Sequence, residues 1–197
     1  MPDPIFSAVL LAGGLSTRMG RDKALLDWQG RPLWQVQLGK LRALNPARLL
    51  VACREDQALH RDGHPGEVEW LFDPPGSGLG PMGPVTQALE NVQMPLLVLA
   101  ADMPNMTVEF LREVVNSRAG LPAFFRAGGG IEPLAGVYTP DMLPLLRAAL
   151  QAGRYSLRHV LEQADEGGMA LIKPVDEKAV FLFANTNTPE DWRAVSA

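Results

Sequence analysis

The sequence is poor in the residues that usually build cross-links and metal clusters. It has one cysteine, Cys53, and three histidines among 197 residues. A single cysteine excludes an internal disulfide and any metal cluster held by cysteines. The histidines share no metal-ligand spacing, so we assign no role to His60, His64 or His159. We therefore expect the chemistry of this chain to depend on other side chains.

Long apolar runs and a large charge of one sign are also absent. The first apolar run, residues 8–11, has no basic segment before it and stops at a glycine, so we expect neither a signal peptide nor a membrane span. The net charge of −4, from 18 basic and 22 acidic residues, argues against broad nucleic-acid binding. We expect a cytoplasmic protein with no membrane or nucleic-acid partner.

Short apolar runs alternate with amphipathic segments, which is typical of α/β proteins. The pattern predicts strands at 7–11, 48–53, 67–72 and 96–101, with helices at 32–44, 84–92 and 107–116. A strand–turn–strand pattern at 121–138 predicts an antiparallel addition at one edge of a mostly parallel sheet. Helices at 141–152 and 156–163 and short strands at 169–174 and 180–183 follow, and residues 24–28 are expected to be a short extended piece. The expected helix caps are Thr107, Thr139 and Ser156, and TPED at residues 188–191 has the capping-box pattern of a last helix. We expect a Rossmann-like, three-layer αβα fold.

A glycine-rich segment, LAGGLSTRMGRDK, follows the first predicted strand at residues 11–23. Glycines let backbone N–H groups approach a ligand, and successive N–H groups beside fixed cations form an anion site. The segment matches neither the P-loop nor the dinucleotide fingerprint. It predicts a loop that wraps a nucleoside triphosphate, and a flexible connection with solvated charges is the alternative. The predicted binding residues are Leu11, Ala12, Gly13, Gly14, Arg18 and Lys23.

The third predicted strand leads into the segment DPPGSGLGPMG, residues 73–83. Its glycines match GxGxxG, but that fingerprint normally follows the first strand, so we interpret the match as chance. The carboxylate of Asp73 can accept two parallel hydrogen bonds. Guanine presents two adjacent donors, whereas cytosine presents one amine beside acceptors. Asp73 is therefore predicted to favour guanine, with a turn-forming role as the alternative.

Polar side chains follow two further predicted strands. Asp102 comes directly after residues 96–101, where a carboxylate would face the ligand crevice of a parallel sheet. Mg²⁺ prefers one or two carboxylates and keeps several waters, so Asp102 is our candidate metal ligand, with helix capping as the alternative. Asn185 and Asn187 follow residues 180–183 and offer neutral oxygens and amides. We predict Asn187 near the metal and Asn185 near an acceptor, with turn formation as the alternative.

These motifs together resemble those of nucleotidyltransferases that activate sugars, lipids and cofactors. The pattern AxxLAGGxxxRMGxxK spans residues 8–23, DMP follows the fourth strand, and NTNTPED occupies residues 185–191. In this form the chain is most similar to the molybdenum cofactor guanylyltransferases, from residue 8 to residue 192. That resemblance implies Mg²⁺-dependent transfer of GMP from GTP to molybdopterin. CTP, a sugar 1-phosphate acceptor and a non-catalytic nucleotide-binding module are the alternatives.

No linker rich in proline, glycine or serine divides the chain, so we expect one domain, residues 1–197, with two binding parts. Residues 1–105 would bind the nucleotide, and residues 106–197 would bind the acceptor. Gly78 would belong to the base-recognition loop. In that loop this sequence has one residue, Leu79, more than the family's pattern. Glu132, in the segment GIEPLAGVY, would help to position the acceptor unless it is a solvated hairpin charge. We expect a monomer or a weak oligomer.

Replacing both Arg18 and Lys23 by alanine should abolish triphosphate binding, because the loop would lose the two cations predicted to neutralise the phosphates. A calorimetric titration with GTP measures the effect. Unchanged binding would refute the assignment of this loop.

Overall fold

A seven-stranded sheet runs through the part of the chain that the computed structural model describes, namely residues 5–14, 22–61, 68–73, 78–117, 121–186, 188 and 191–193. The strands of this sheet are β1 (Ser7–Leu11), β4 (Leu49–Cys53), β5 (Glu69–Phe72), β6 (Leu96–Ala100), β7 (Ala123–Ala127), β8 (Gly130–Tyr138) and β9 (Leu171–Pro174). Two further strands, β2 (Asp27–Trp28) and β3 (Arg31–Pro32), form a separate hairpin.

The order of strands in the large sheet is β5-β4-β1-β6-β8-β7-β9. Strands β5, β4, β1 and β6 are parallel to one another, as predicted. The antiparallel addition lies on one side of them, where β8 runs antiparallel to both β6 and β7. Strand β9 then pairs parallel to β7, so the reversed strand lies inside the sheet and β9 forms the edge. The prediction of a mostly parallel sheet with an antiparallel addition is confirmed.

Helices cover both faces of this sheet, which gives the predicted three layers. They are α1 (Leu33–Arg42), α2 (Met82–Val92), α3 (Val108–Asn116), α4 (Leu143–Gln151) and α5 (Leu157–Glu166). Successive β1 side chains point to opposite faces. Leu10 joins a core with α1 and α3, whereas Val9 joins a core with α2, α4 and α5. The central strands are therefore apolar on both sides because both sides are covered.

Two of the predicted helix caps are confirmed. The Thr107 hydroxyl accepts a hydrogen bond from the Phe110 amide at 3.2 Å, and the Ser156 hydroxyl accepts one from the His159 amide at 3.3 Å. Thr139, in contrast, makes no capping bond, because a 3₁₀ turn (Pro140–Met142) separates it from α4. Each helix of the described residues is too short or too polar to cross a membrane.

Some predicted boundaries were wrong for identifiable reasons. Helix α2 begins at Met82, two residues before Pro84. Pro84 fits in the first turn because the N–H group that proline lacks would have no intrahelical acceptor there. Residues 180–183 are not a strand but part of a 3₁₀ helix (Glu177–Phe183). That helix is capped by Asp176, and its Phe183 packs edge-on against Phe110 with ring centroids 5.3 Å apart. Residues 24–28, predicted as extended, instead begin in a 3₁₀ turn (Lys23–Leu25).

Two glycine substitutions test this packing. An alanine Cβ at Gly136 of β8 would overlap the Phe124 ring and lie 2.9 Å from the Ala123 carbonyl oxygen. We expect Gly136→Ala to lower the free energy of unfolding by about 1–3 kcal/mol. Gly39, exposed on α1, has open space where an alanine Cβ would lie. Gly39→Ala should therefore raise the free energy of unfolding by about 0.5–1 kcal/mol. Urea denaturation measures both, and a stabilised Gly136→Ala protein would contradict this account of the core.

Candidate active site

A cavity of about 1000 Å³ opens where β1, β4, β5 and β6 end. The carboxyl ends of parallel strands share one edge of the sheet, so residues far apart in sequence meet there. Gly13 and Gly14 enter the lining after β1, Asp73 after β5 and Asp102 after β6. The sequence-predicted residues in the lining are Leu11, Ala12, Gly13, Gly14, Lys23, Asp73, Gly78 and Asp102.

The Lys23 side chain contacts the Asp102 carboxylate across the cavity. Their Nζ and Oδ2 atoms are 3.2 Å apart, although 79 residues separate them in sequence. Asp22 helps to place Lys23, because its Oδ1 atom accepts the Ala24 amide at 3.0 Å and caps the short turn that contains Lys23. Both partners of the ion pair are largely shielded from solvent, with 16% and 26% of their side chains exposed. The structure therefore brings a cation and a carboxylate to one place.

The backbone around Asp102 is held by two neighbouring segments. On one side, the Thr186 amide donates to the Asp102 carbonyl at 3.0 Å. On the other, Gln37 and Lys40 of α1 donate to the next two carbonyls, those of Met103 and Pro104, at 2.6 and 2.7 Å. Burial lowers the pKa of Lys40 to about 8. These contacts limit the freedom of the turn that presents the Asp102 carboxylate.

Thr186, which follows Asn185, lies at the same edge of the sheet through its bond to Asp102. Asn185 precedes this anchor and is exposed, whereas Asn187 and Arg18 lie outside the described residues. Reciprocal hydrogen bonds confirm the predicted capping box after them. The Thr188 amide donates to Asp191 at 2.8 Å, and the Asp191 amide donates to the Thr188 hydroxyl at 3.1 Å.

The Asp73 carboxylate lies directly against the backbone of Gly13. An added Cβ at Gly13 would overlap Asp73 Oδ2, so only glycine permits this approach. The Asp73 amide donates to the Cys53 carbonyl at 3.0 Å, which extends the pairing of β5 with β4 beyond the strand ends. Burial raises the pKa of the Asp73 carboxyl, and nearby Arg54 partly offsets this. A carboxylate held in a cavity against its desolvation cost is typical of functional sites.

Arg54 is a cavity residue that the sequence analysis missed. It directly follows β4, and its Nη1 atom donates to the Gly13 and Gly14 carbonyls at 2.9 and 2.8 Å. Its position immediately after a predicted strand was the one available signal. Cys53, just before it, is buried as expected of a core residue, and burial raises the pKa of its thiol to about 12.

Glu132 and Asn185, predicted to contact an acceptor, are not part of this cavity's lining. Leu134, from the same strand as Glu132, does line the cavity. Glu132 instead faces α5, where its Oε1 atom lies 3.8 Å from Arg158 Nη2. Burial raises the pKa of Glu132, and Arg158 partly offsets this.

The donor groups at this edge suit one kind of metal ion better than others. Among the described residues, no three His, Cys, Asp or Glu side chains cluster closely enough to hold a metal by themselves. A single carboxylate such as Asp102 suits Mg²⁺, which is commonly bound by one or two carboxylates together with substrate phosphates and water.

Comparison with known proteins identifies the family. The model of the MobA-like NTP transferase domain matches residues 8–167. Two proteins from Pseudomonas putida, each named molybdenum cofactor guanylyltransferase, are 36% and 33% identical to this chain, and the alignments cover 82% and 96% of it and 85% and 98% of theirs. The crystal structure of molybdopterin-guanine dinucleotide biosynthesis protein A from Archaeoglobus fulgidus has the same fold, with a TM-score of 0.77 at 23% identity over 96% of each chain. This chain belongs to the MobA-like nucleotidyltransferase family.

Proposed function

We propose that this protein transfers GMP from GTP to the terminal phosphate of molybdopterin and releases pyrophosphate. The observation that carries the proposal is the 3.2 Å contact between Lys23 and Asp102 beside the glycine segment at the cavity edge. A phosphate-binding cation and a metal-binding carboxylate must lie close together if they act on one triphosphate. The names of the Pseudomonas putida relatives support both the guanine nucleotide and the acceptor.

The nucleotide binds to residues 1–105 in this proposal, and the acceptor binds to residues 106–197. Backbone N–H groups near Leu11, Ala12, Gly13 and Gly14 surround the triphosphate. Lys23 exchanges its Asp102 partner for phosphate oxygens when GTP binds, and Arg18 supplies the second cation. Gly78 belongs to the base-recognition loop, and the Asp73 carboxylate accepts the two guanine donors.

The reaction requires no protein nucleophile. A phosphate monoester is largely ionised near neutral pH, so an oxygen of the acceptor phosphate attacks the α-phosphorus of GTP directly. The bond from the α-phosphorus to the oxygen that bridges it to the β-phosphorus breaks, and pyrophosphate leaves with both electrons. Lys23 and Arg18 stabilise the charge on the departing group. The protein aligns the two phosphates and excludes alternative orientations.

Asp102 is the proposed Mg²⁺ ligand, with Asn187 as a further candidate. When bound, Mg²⁺ would supply positive charge and Lewis acidity at the phosphates. Asn185 and Glu132 are the proposed acceptor contacts. Glu132 lies on β8, whose first residues reach the edge of the sheet where β6 ends, because the two strands are antiparallel.

Transfer of labelled GTP to a panel of phosphorylated acceptors, with and without Mg²⁺, tests this function. We expect transfer to molybdopterin, dependence on Mg²⁺, and a loss of about 100-fold or more in rate for Asp102→Asn. Asp165→Asn is the matched control, because Asp165 forms an ion pair with Arg126 outside the cavity. Normal turnover by Asp102→Asn would remove the metal assignment, and transfer only to another acceptor would replace molybdopterin.

The contact of Asp73 with Gly13 makes a separate prediction about base choice. Asp73→Ala should flatten the preference for GTP over CTP. Gly13→Ala should do the same in a folded protein, because the new methyl group displaces the mobile end of the Asp73 side chain. Gly14→Ala should keep the GTP/CTP ratio of kcat/KM, since space is open beside Gly14. An unchanged ratio in Gly13→Ala would contradict the role given to Asp73.

A further inference from the structure

Arg54 contacts the glycine segment in a way that controls backbone orientation. One nitrogen, Nη1, bridges the consecutive carbonyls of Gly13 and Gly14 at 2.9 and 2.8 Å. The C=O and N–H of a trans peptide point in opposite directions. Holding the Gly13 carbonyl therefore turns the Gly14 N–H away from Arg54. Backbone N–H groups that face a common ligand are what a phosphate-binding loop needs.

The same arginine also connects the first residues of the segment to the residues just before Lys23. Arg54 Nη2 lies 3.3 Å from Asp22 Oδ2. Gln57 closes the network, because its Nε2 atom donates to both the Ala12 carbonyl and Asp22 Oδ2, at 2.8 and 2.7 Å. Its Oε1 atom accepts the Arg54 amide at 2.7 Å. The side chains of Arg54 and Gln57 thus contact both the backbone of residues 12–14 and the carboxylate of Asp22.

The charges of this network indicate a structural rather than a phosphate-binding use of Arg54. Its guanidinium is paired with Asp22 and, through Nε, with Asp56 at 3.0 Å. Only 23% of the side chain is exposed. A cation that already pairs with two carboxylates and two carbonyls fixes the orientation of the Gly13 and Gly14 carbonyls. Ordering before binding removes part of the entropy loss that nucleotide binding would otherwise carry.

We propose that Arg54, together with Asp22 and Gln57, forms a brace that fixes the backbone of Ala12, Gly13 and Gly14 in the orientation that binds a triphosphate. Arg54 is a positioning residue for the nucleotide and does not contact the phosphates. This inference rests on the proposed function only in that a nucleoside triphosphate binds at this loop; it requires neither guanine nor molybdopterin.

The first measurement is hydrogen exchange of residues 11–23 in the intact protein without nucleotide. In Arg54→Lys, one ammonium cannot reproduce the planar, multi-point contacts of the guanidinium, so exchange in this segment should rise. Arg48→Lys is the matched control. Arg48 precedes the same strand, β4, and pairs with Glu69 (2.6 Å from Nε to Oε1) and with the Asn91 carbonyl (2.9 Å from Nη1). Its substitution should leave exchange in residues 11–23 unchanged.

The second measurement separates positioning from direct contact. In Arg54→Lys the Kd and KM for GTP should rise by about 10-fold or more, while kcat changes by less than about threefold. The double variant with Asp22→Asn should lose no more affinity than the weaker-binding single variant, because both residues act through one network. Additive losses would show independent contacts and would overturn the brace, as would unchanged exchange or unchanged affinity in Arg54→Lys.

Titration of the wild-type protein with GTP, CTP and ATP keeps the two proposals distinguishable. Tight binding of ATP or CTP but not GTP would overturn the proposed guanylyl transfer and leave the brace to be judged with the nucleotide that binds. Binding of none of the three would overturn both.

Discussion

The contact between Lys23 and Asp102 depends on the parallel pairing of β1 with β6. Leu11 and Ala100 are paired at the carboxyl ends of the two strands, and the Ala101 amide donates to the Leu11 carbonyl at 3.0 Å beyond them. This register places the start of the glycine segment beside the residue that precedes Asp102. Because β1 also pairs with β4, residues that follow three neighbouring strands share one cavity. The rest of the site is arranged around that edge.

Opposite charges at this edge are arranged as local pairs. Lys23 is paired with Asp102, and Arg54 with Asp22 and Asp56. Pairing reduces the desolvation cost of placing charges in a partly enclosed cavity. A chain with net charge −4 can therefore present cations to an anionic ligand without an extended basic surface. For Asp73 the desolvation cost is only partly compensated, because burial raises the pKa of its carboxyl and Arg54 offsets only part of this rise.

The reversed strand β8 explains how a later part of the chain reaches the cavity. β8 runs antiparallel to β6, so its first residues lie at the edge where β6 ends. Leu134 of β8 thereby enters the cavity lining, although it is far in sequence from the glycine segment. A parallel strand in that position would have presented its last residues there instead. The direction of β8 thus decides which part of the segment GIEPLAGVY approaches the cavity.

The sequence by itself determined the alternation of elements and the residues that follow each strand. Apolar runs predicted β1, β4 and β6 because buried central strands carry few polar residues. The same rule failed at residues 180–183, where the apolar side chains pack as a 3₁₀ helix instead of a strand. Caps such as Thr107 were readable because a cap is a local hydrogen bond.

Only the tertiary structure decided the order and direction of the strands and the contacts across the cavity. Nothing local in the sequence pairs Lys23 with Asp102, because strand order and register place them together across 79 residues. Arg54 was missed for the same reason, since the carbonyls that it holds belong to a segment about 40 residues away. Hydrogen bonds to distant backbone leave no sequence pattern, because a carbonyl group is present at every residue.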